Sequence, residues 1–334
     1  MGAVFRATHL LIEESVAIMV LLTELTADPK AARRFVREAK STFRLDHPHL
    51  VRVSDFGATD DGILYIVMEY LDGRTVAREV SVDGPMAPAR CCHILAQVAT
   101  ALEYAHQIGL VHRDLKGENI LLLHRGSDVD YVKVLDFGLA KLWDPEGGGL
   151  ATVLSVAALT QEGMTFGTPS YMSPEQALGG NLQPASDIYT LGVVGYEMLT
   201  AMLPFTGNSP VEILAAIAQE QPVAPRGRRP DLQIPPELSE LVMRCMSKDP
   251  QARPPSGREL SAELTAMATR LSQSAAVASS AVAASETIEL PQEQAATRPL
   301  RQESPAPAQA QKLDTRAVIA AGVRRSGTAR AVTG

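Results

Sequence analysis

Two short polar segments constrain this 334-residue chain more than anything else in it. Residues 112–119 read HRDLKGEN and residues 136–138 read DFG, in that order. Among their residues, Asp114, Lys116, Asn119 and Asp136 set two carboxylates, an ammonium and an amide at fixed offsets. Composition agrees with a packed domain around them, at 46% hydrophobic and 21% charged residues. The formal net charge of −7 argues against a protein made mainly to grip nucleic-acid phosphates. Cys91, Cys92 and Cys245 form no CxxC pair and read as small buried residues of a chain in a reducing cytoplasm. No run approaches the ~18 apolar residues of a membrane span, and the N-terminus has no signal-peptide pattern.

Periodicity divides the chain into three. Residues 4–22 alternate as two strands with a turn near Glu13–Glu14, and residues 28–45 carry Phe35, Val36 and Ala39 on one helix face. Residues 49–56 and 63–70 are strand-like about the turn Thr59-Asp60-Asp61-Gly62. From about residue 86 the pattern is helical, with segments at 88–108, 186–201, 209–220, 236–247 and 256–270. Residues 144–170 read as a long loop. The last part turns to Ala, Ser, Gln, Pro and Arg without apolar period, the pattern of a disordered tail. The expected organisation is a sheet-dominated unit at 1–70, a helical unit at 71–268 and a tail at 269–334.

Phosphoryl transfer from ATP needs a positioned acceptor hydroxyl, magnesium ions and neutralisation of phosphate charge, with little covalent chemistry from the protein. HRDLKGEN and DFG supply those parts. Asp114 would accept or orient the hydroxyl proton, and Lys116 would approach the transferred phosphate. Asn119 and Asp136 would hold Mg2+.

The ordered series HRDLKGEN, DFG, GTPSYMSPEQ and DIYTLG covers residues 112–192, and with it residues 2 to about 268 resemble the bacterial eukaryotic-like Ser/Thr protein kinases. That resemblance implies an α+β, two-lobed protein-kinase fold whose first strand is missing, with ATP and Mg2+ as cofactors. It implies protein substrates with Ser or Thr acceptors, from the Lys two residues after Asp114. Glu175 of SPE should pair with Arg253 of KDPQARP, Asp187 should bond the backbone of the catalytic loop, and Thr168 should bridge Asp114 and Lys116. Met68, Glu69 and Leu71 of VMEYL stand at the hinge that holds adenine, and Val4, Ala17 and Leu121 at the positions that sandwich it. Arg113 before Asp114 implies control by activation-loop phosphorylation, with Thr160 the candidate site. His112 should pack under Phe137, and His47 and His49 have a structural reading.

Two departures from that pattern lie in the first lobe. VAIMVLL puts Met19 where the family's VAIK lysine grips the phosphates and pairs with a helix glutamate, here Glu38. Methionine has neither charge nor donor. MGAVFRA holds only the end of a GxGxxGxV loop, Gly2 and Val4. Arg6 is a conceivable substitute cation. The alternative to an active Ser/Thr kinase is therefore a pseudokinase scaffold or allosteric module with impaired use of ATP.

Overall fold

The computed structural model describes residues 3–21, 35–36, 39–40, 42–60, 62–137 and 169–285. It divides into two units: residues 1–275 with the last four, and residues 276–330. In the first, strands β1 (Ala3–Thr8), β2 (Ser15–Val20), β3 (Val53–Ala58) and β4 (Leu64–Glu69) form an antiparallel sheet in the order β1-β2-β4-β3. The β1–β2 turn closes through His9 and Glu14, with Glu13 at φ 54°. The turn into β4 needs Gly62, at φ 83°, where a side chain would be strained. Residues 49–52, read as the start of a strand, instead link to β3, which begins at Val53. Residues 35–36, 39–40 and 42–43 are helical, and buried Phe35 and Ala39 pack with Leu21, Ile66 and Met68 in the core of this lobe.

Helices dominate the second lobe, together with a small sheet that the helical periodicity concealed. Strands β5 (Arg74–Thr75), β6 (Ile120–Arg125) and β7 (Asp128–Val134) pair in that order. Helix α1 (Val76–Asp83) is capped by Thr75, whose hydroxyl accepts from the Arg78 amide at 3.2 Å, and ends at Gly84 in a positive-φ turn. α2 (Pro88–Gln107) starts with Pro at its first turn and buries Ile94, Leu95, Val98, Ala101, Leu102 and Ala105 as its core stripe. After a short α3 (Pro174–Ala177) comes α4 (Pro184–Thr200), buried almost all round. Small residues let its neighbours approach: a Cβ on Gly192 would sit 2.7 Å from Cys245 Cβ, and one on Gly195 would sit 2.9 Å from Leu95 Cδ1. α5 (Pro210–Gln219), α6 (Pro225–Arg228), α7 (Pro236–Cys245) and α8 (Gly257–Ser285) complete the lobe. α8 continues past residue 269 through Ser285, where its Ala-rich sequence is a strong helix former even without an apolar stripe.

The first lobe is tied to the second at its rear as well as through the chain. The Val51 amide donates to Val134 O at 3.0 Å and the Val134 amide to His49 O at 2.8 Å. Thr42 Oγ1 donates to Phe137 O at 3.0 Å. The catalytic candidates stand between these ties, at the ends of β6 and β7.

Candidate active site

HRDLKGEN is an irregular loop ending in one turn of 3₁₀ helix, and its shape is imposed from outside. Asp187, buried near the start of α4, accepts the His112 amide at 2.8 Å and the Arg113 amide at 3.0 Å. The same carboxylate receives His106 Nε2 at 2.7 Å from the end of α2. Arg113 adopts φ 74°, rare for a residue with a side chain, and these bonds hold it there. Its carbonyl accepts from Gln176 Nε2 of α3 at 3.1 Å. The fully buried His112 stacks edge-on to Phe137, ring centroids 4.7 Å apart. His112 Nε2 donates to Leu135 O at 3.0 Å, so its Nδ1 is the acceptor for the Asp114 amide at 3.3 Å. Burial lowers its pKa, and the ring is a neutral spacer between the two motifs.

That frame brings the four chemical candidates together. Lys116 Nζ lies 3.2 Å from Asp114 Oδ2, with Lys116 the more buried of the pair. Asn119 is buried, and its Nδ2 donates to Asp114 O at 2.8 Å, which leaves its amide oxygen for a metal. The Leu135 amide donates to Asn119 O at 2.8 Å and so fixes DFG against the loop. Asp136 sits at φ 54° with its carboxyl pushed up to about 6, first by burial and then by the charge of Asp114, against the pull of Lys116. The charges of Asp114 and Asp136 repel, a strain that a divalent cation would relieve. Mg2+ is commonly held by one or two protein oxygens together with substrate phosphates, and Asn119 and Asp136 fit that role.

Glu175 meets Arg253 in a two-pronged ion pair, at 2.8 and 2.9 Å, and accepts Ser186 Oγ at 2.6 Å. Burial pushes the Glu175 carboxyl up, but the bonds from Arg253 and Ser186 outweigh it and hold its pKa below the ordinary value. Arg253 is 3% exposed and lies over the Tyr189 ring.

Val4, Ala17, Met19 and Met68 share one face of the first sheet by register, while Glu69 alternates to the other face of β4 and Leu121 stands on β6 of the second sheet. Register pairs Ala17 with Met68, and Met19 with Val4 on one side and Ile66 on the other. Met19, Ala17, Leu71 and Leu135 pack against the buried cluster that contains Met68. Leu121 lies on β6 beside Gly73, where an added Cβ would come within 3.2 Å of Leu121 Cγ. Arg6 pairs with Ala17 and not with Met19, and its guanidinium lies 4.4 Å from the centre of the Tyr70 ring and donates to Ser15 Oγ. It is therefore held at the hinge end of the sheet. Gly2, Glu38, Thr160 and Thr168 lie outside the described residues. Sequence reading missed His106, Gln176 and Lys133 (below), because each reaches its partner across more than sixty residues and no local spacing marks it.

Residues 1–264 match the protein kinase domain family. The chain belongs to the protein kinase family. Among the curated relatives of this kinase domain is the serine/threonine-protein kinase pkn3 of Myxococcus xanthus, 43% identical over 267 residues that make up 80% of this chain and 48% of the relative. Serine/threonine-protein kinase PrkC of Bacillus subtilis is 37% identical over 264 residues, 79% of this chain and 38% of the relative. This kinase chain thus spans less than half the length of either. Among solved structures, the PknI kinase domain of Mycobacterium tuberculosis superposes with a TM-score of 0.60 at 27% identity, covering 80% of this chain and 91% of that one. Rad53 1–466 in complex with AMP-PNP gives a TM-score of 0.62 at 24% identity over 78% of this chain and 60% of that one, a likeness of fold. The architecture is accordingly the two-lobed α+β kinase fold. Among the described residues no helix is long and apolar enough to cross a membrane.

Proposed function

We propose that this kinase domain, in the cytoplasm, transfers the γ-phosphate of ATP to Ser or Thr hydroxyls of protein substrates. The observation that carries the reading is the grouping of Asp114, Lys116 and Asn119 on one loop held by Asp187, with Asp136 of DFG tied to it by the Leu135 bond to Asn119 O. Asp114 orients the acceptor hydroxyl and takes its proton as the new O–P bond forms. The bond from the γ-phosphorus to its bridging oxygen breaks, and ADP leaves. Lys116, already beside Asp114, meets the charge on the transferred group. Magnesium, held by Asn119 and Asp136, neutralises phosphate charge when bound. Val4, Ala17 and Leu121 sandwich adenine, the backbone from Met68 to Leu71 bonds it, and Gly2 covers the phosphates. Glu175, Arg253 and Asp187 support the loop. Phosphorylation at Thr160, read by Arg113, and a bridge from Thr168 complete the reading.

Met19 favours a second reading, a kinase-shaped module with impaired turnover. Its thioether packs on apolar neighbours where a cation would meet the phosphates and pair with Glu38. Loss of one preorganised electrostatic group costs on the order of 10²–10³ in rate. The account therefore expects slow catalysis. Radiolabelled γ-phosphate transfer to the chain itself or to a generic basic protein tests it. Label that disappears in Asp114→Ala supports transfer; no label above the Asp114→Ala background at any Mg2+ or ATP concentration leaves the module reading.

A further inference from the structure

We propose that Lys133 is a positioning residue for the nucleotide cleft, clamping the hinge from behind; this rests on reading Met68 to Leu71 as the adenine strip. Lys133 lies on β7, three residues before Asp136, and strand alternation turns it to the face opposite Val132 and Val134. Its side chain is 12% exposed. Nζ donates to Glu69 Oε1 at 2.6 Å and to Leu50 O at 3.0 Å. The same Glu69 oxygen accepts the Arg52 amide at 2.8 Å, and the Glu69 amide donates to Arg52 O at 3.1 Å.

One ammonium thus adds a side-chain link across three segments that backbone bonds already bring together: the second-lobe strand that delivers DFG, the link into β3, and the hinge. The backbone pairing of His49 and Val51 with Val134 brackets the clamp, so Lys133 has little room to follow a hinge that swings away. Charge-assisted bonds of this length are about twice as strong as neutral ones. Removing the cation leaves the mostly buried Glu69 carboxylate with the Arg52 amide but no counter-charge, and takes the ammonium donor from Leu50 O. Rotation between lobes is absorbed by a few hinge residues, so the clamp limits the number of lobe angles available before a nucleotide arrives. Apparent affinity falls in proportion to the fraction of molecules in the binding-competent arrangement.

The test compares the unaltered chain with Lys133→Met, Lys133→Arg and Glu69→Gln by amide hydrogen exchange without nucleotide and by calorimetric titration with Mg-ATP. Lys133→Met should speed exchange of the Arg52 and Glu69 amides about tenfold, leave Leu191 and Val194 of α4 unchanged, and raise the Kd for Mg-ATP about tenfold. Lys133→Arg should restore both values. Glu69→Gln, which keeps Lys133 on Leu50 O, should give a smaller change of the same sign and serves if the methionine variant does not fold. Unchanged exchange at Arg52 and Glu69, an equal rise throughout α4, or failure of arginine to restore the hinge would each overturn the clamp. If the unaltered chain binds no Mg-ATP, the adenine-strip reading fails, and the exchange measurements still decide whether Lys133 holds the hinge.

Discussion

Arg253 shows how one side chain in this fold serves several elements at once. It pairs with Glu175 of α3, donates to Ala185 O at the start of α4, to Ser247 O and Lys248 O after α7, and lies over Tyr189. Burying such a charge is costly unless every donor is used, and here several are. Truncation leaves the Glu175 carboxylate facing Ser186 alone in a half-buried site. Arg253→Met should therefore lower stability by about 3–5 kcal/mol, seen in thermal unfolding as a drop in Tm on the order of 10 °C. A shift no larger than that of a surface arginine, such as Arg258→Met, would remove the pair from the account. The partners Glu175 and Arg253 were legible in sequence through the motifs SPE and KDPQARP. The bond from Ser186 Oγ to Glu175 and that from Arg253 to Ala185 O were not, since no local motif marks either.

At the scale of elements, the junction between the helix around residue 39 and β3 carries a stack of rings. His47 faces Tyr104 at 5.3 Å and His49 at 5.6 Å, and His49 faces Tyr131 at 4.9 Å. Burial first, then each other's charge and that of Lys133, lower the pKa of His47; burial first lowers that of His49, against the pull of its bond to Val132 O. Below the ordinary value of 6.5 the unfolded chain takes up protons that these folded imidazoles refuse. Stability is thus full above that pH and falls as the pH drops toward the lowered folded values. In urea unfolding, stability should decline as the pH is lowered below about 6.5. The double variant His47→Asn, His49→Gln keeps an acceptor for the His49 amide and a donor for Val132 O, and should flatten that slope. Equal slopes in both proteins would place the pH dependence elsewhere. The alternation of β4 and the stripe of α2 were readable because each has one buried face. β6 and β7 were hidden because ILLL and YVKV lie within the stretch from residue 86 that reads broadly as helical, and it is their pairing that marks them as strands.

For the whole molecule, the two lobes tell different stories about the same reaction. The second lobe keeps the loop, its Asp187 brace and the metal-side residues in one connected set of bonds. The first lobe offers an apolar sheet face on which Met19 lies among Val4, Ile66 and the Met68 cluster. The expectation that Met19 stands at the lysine position comes from the sequence; the packing of Met19 and the capture of Arg6 by Tyr70 required coordinates. The central claim is that the catalytic loop is competent and that the residue at position 19 limits it. Initial rates of radiolabelled phosphate transfer from Mg-ATP, measured for the unaltered chain, Met19→Lys, and Met19→Lys combined with Asp114→Ala, test it most directly. The account predicts a rise of about 10²–10³ on Met19→Lys and its complete loss on adding Asp114→Ala. A Met19→Lys protein that folds, binds Mg-ATP and transfers no more phosphate than the unaltered chain would contradict it.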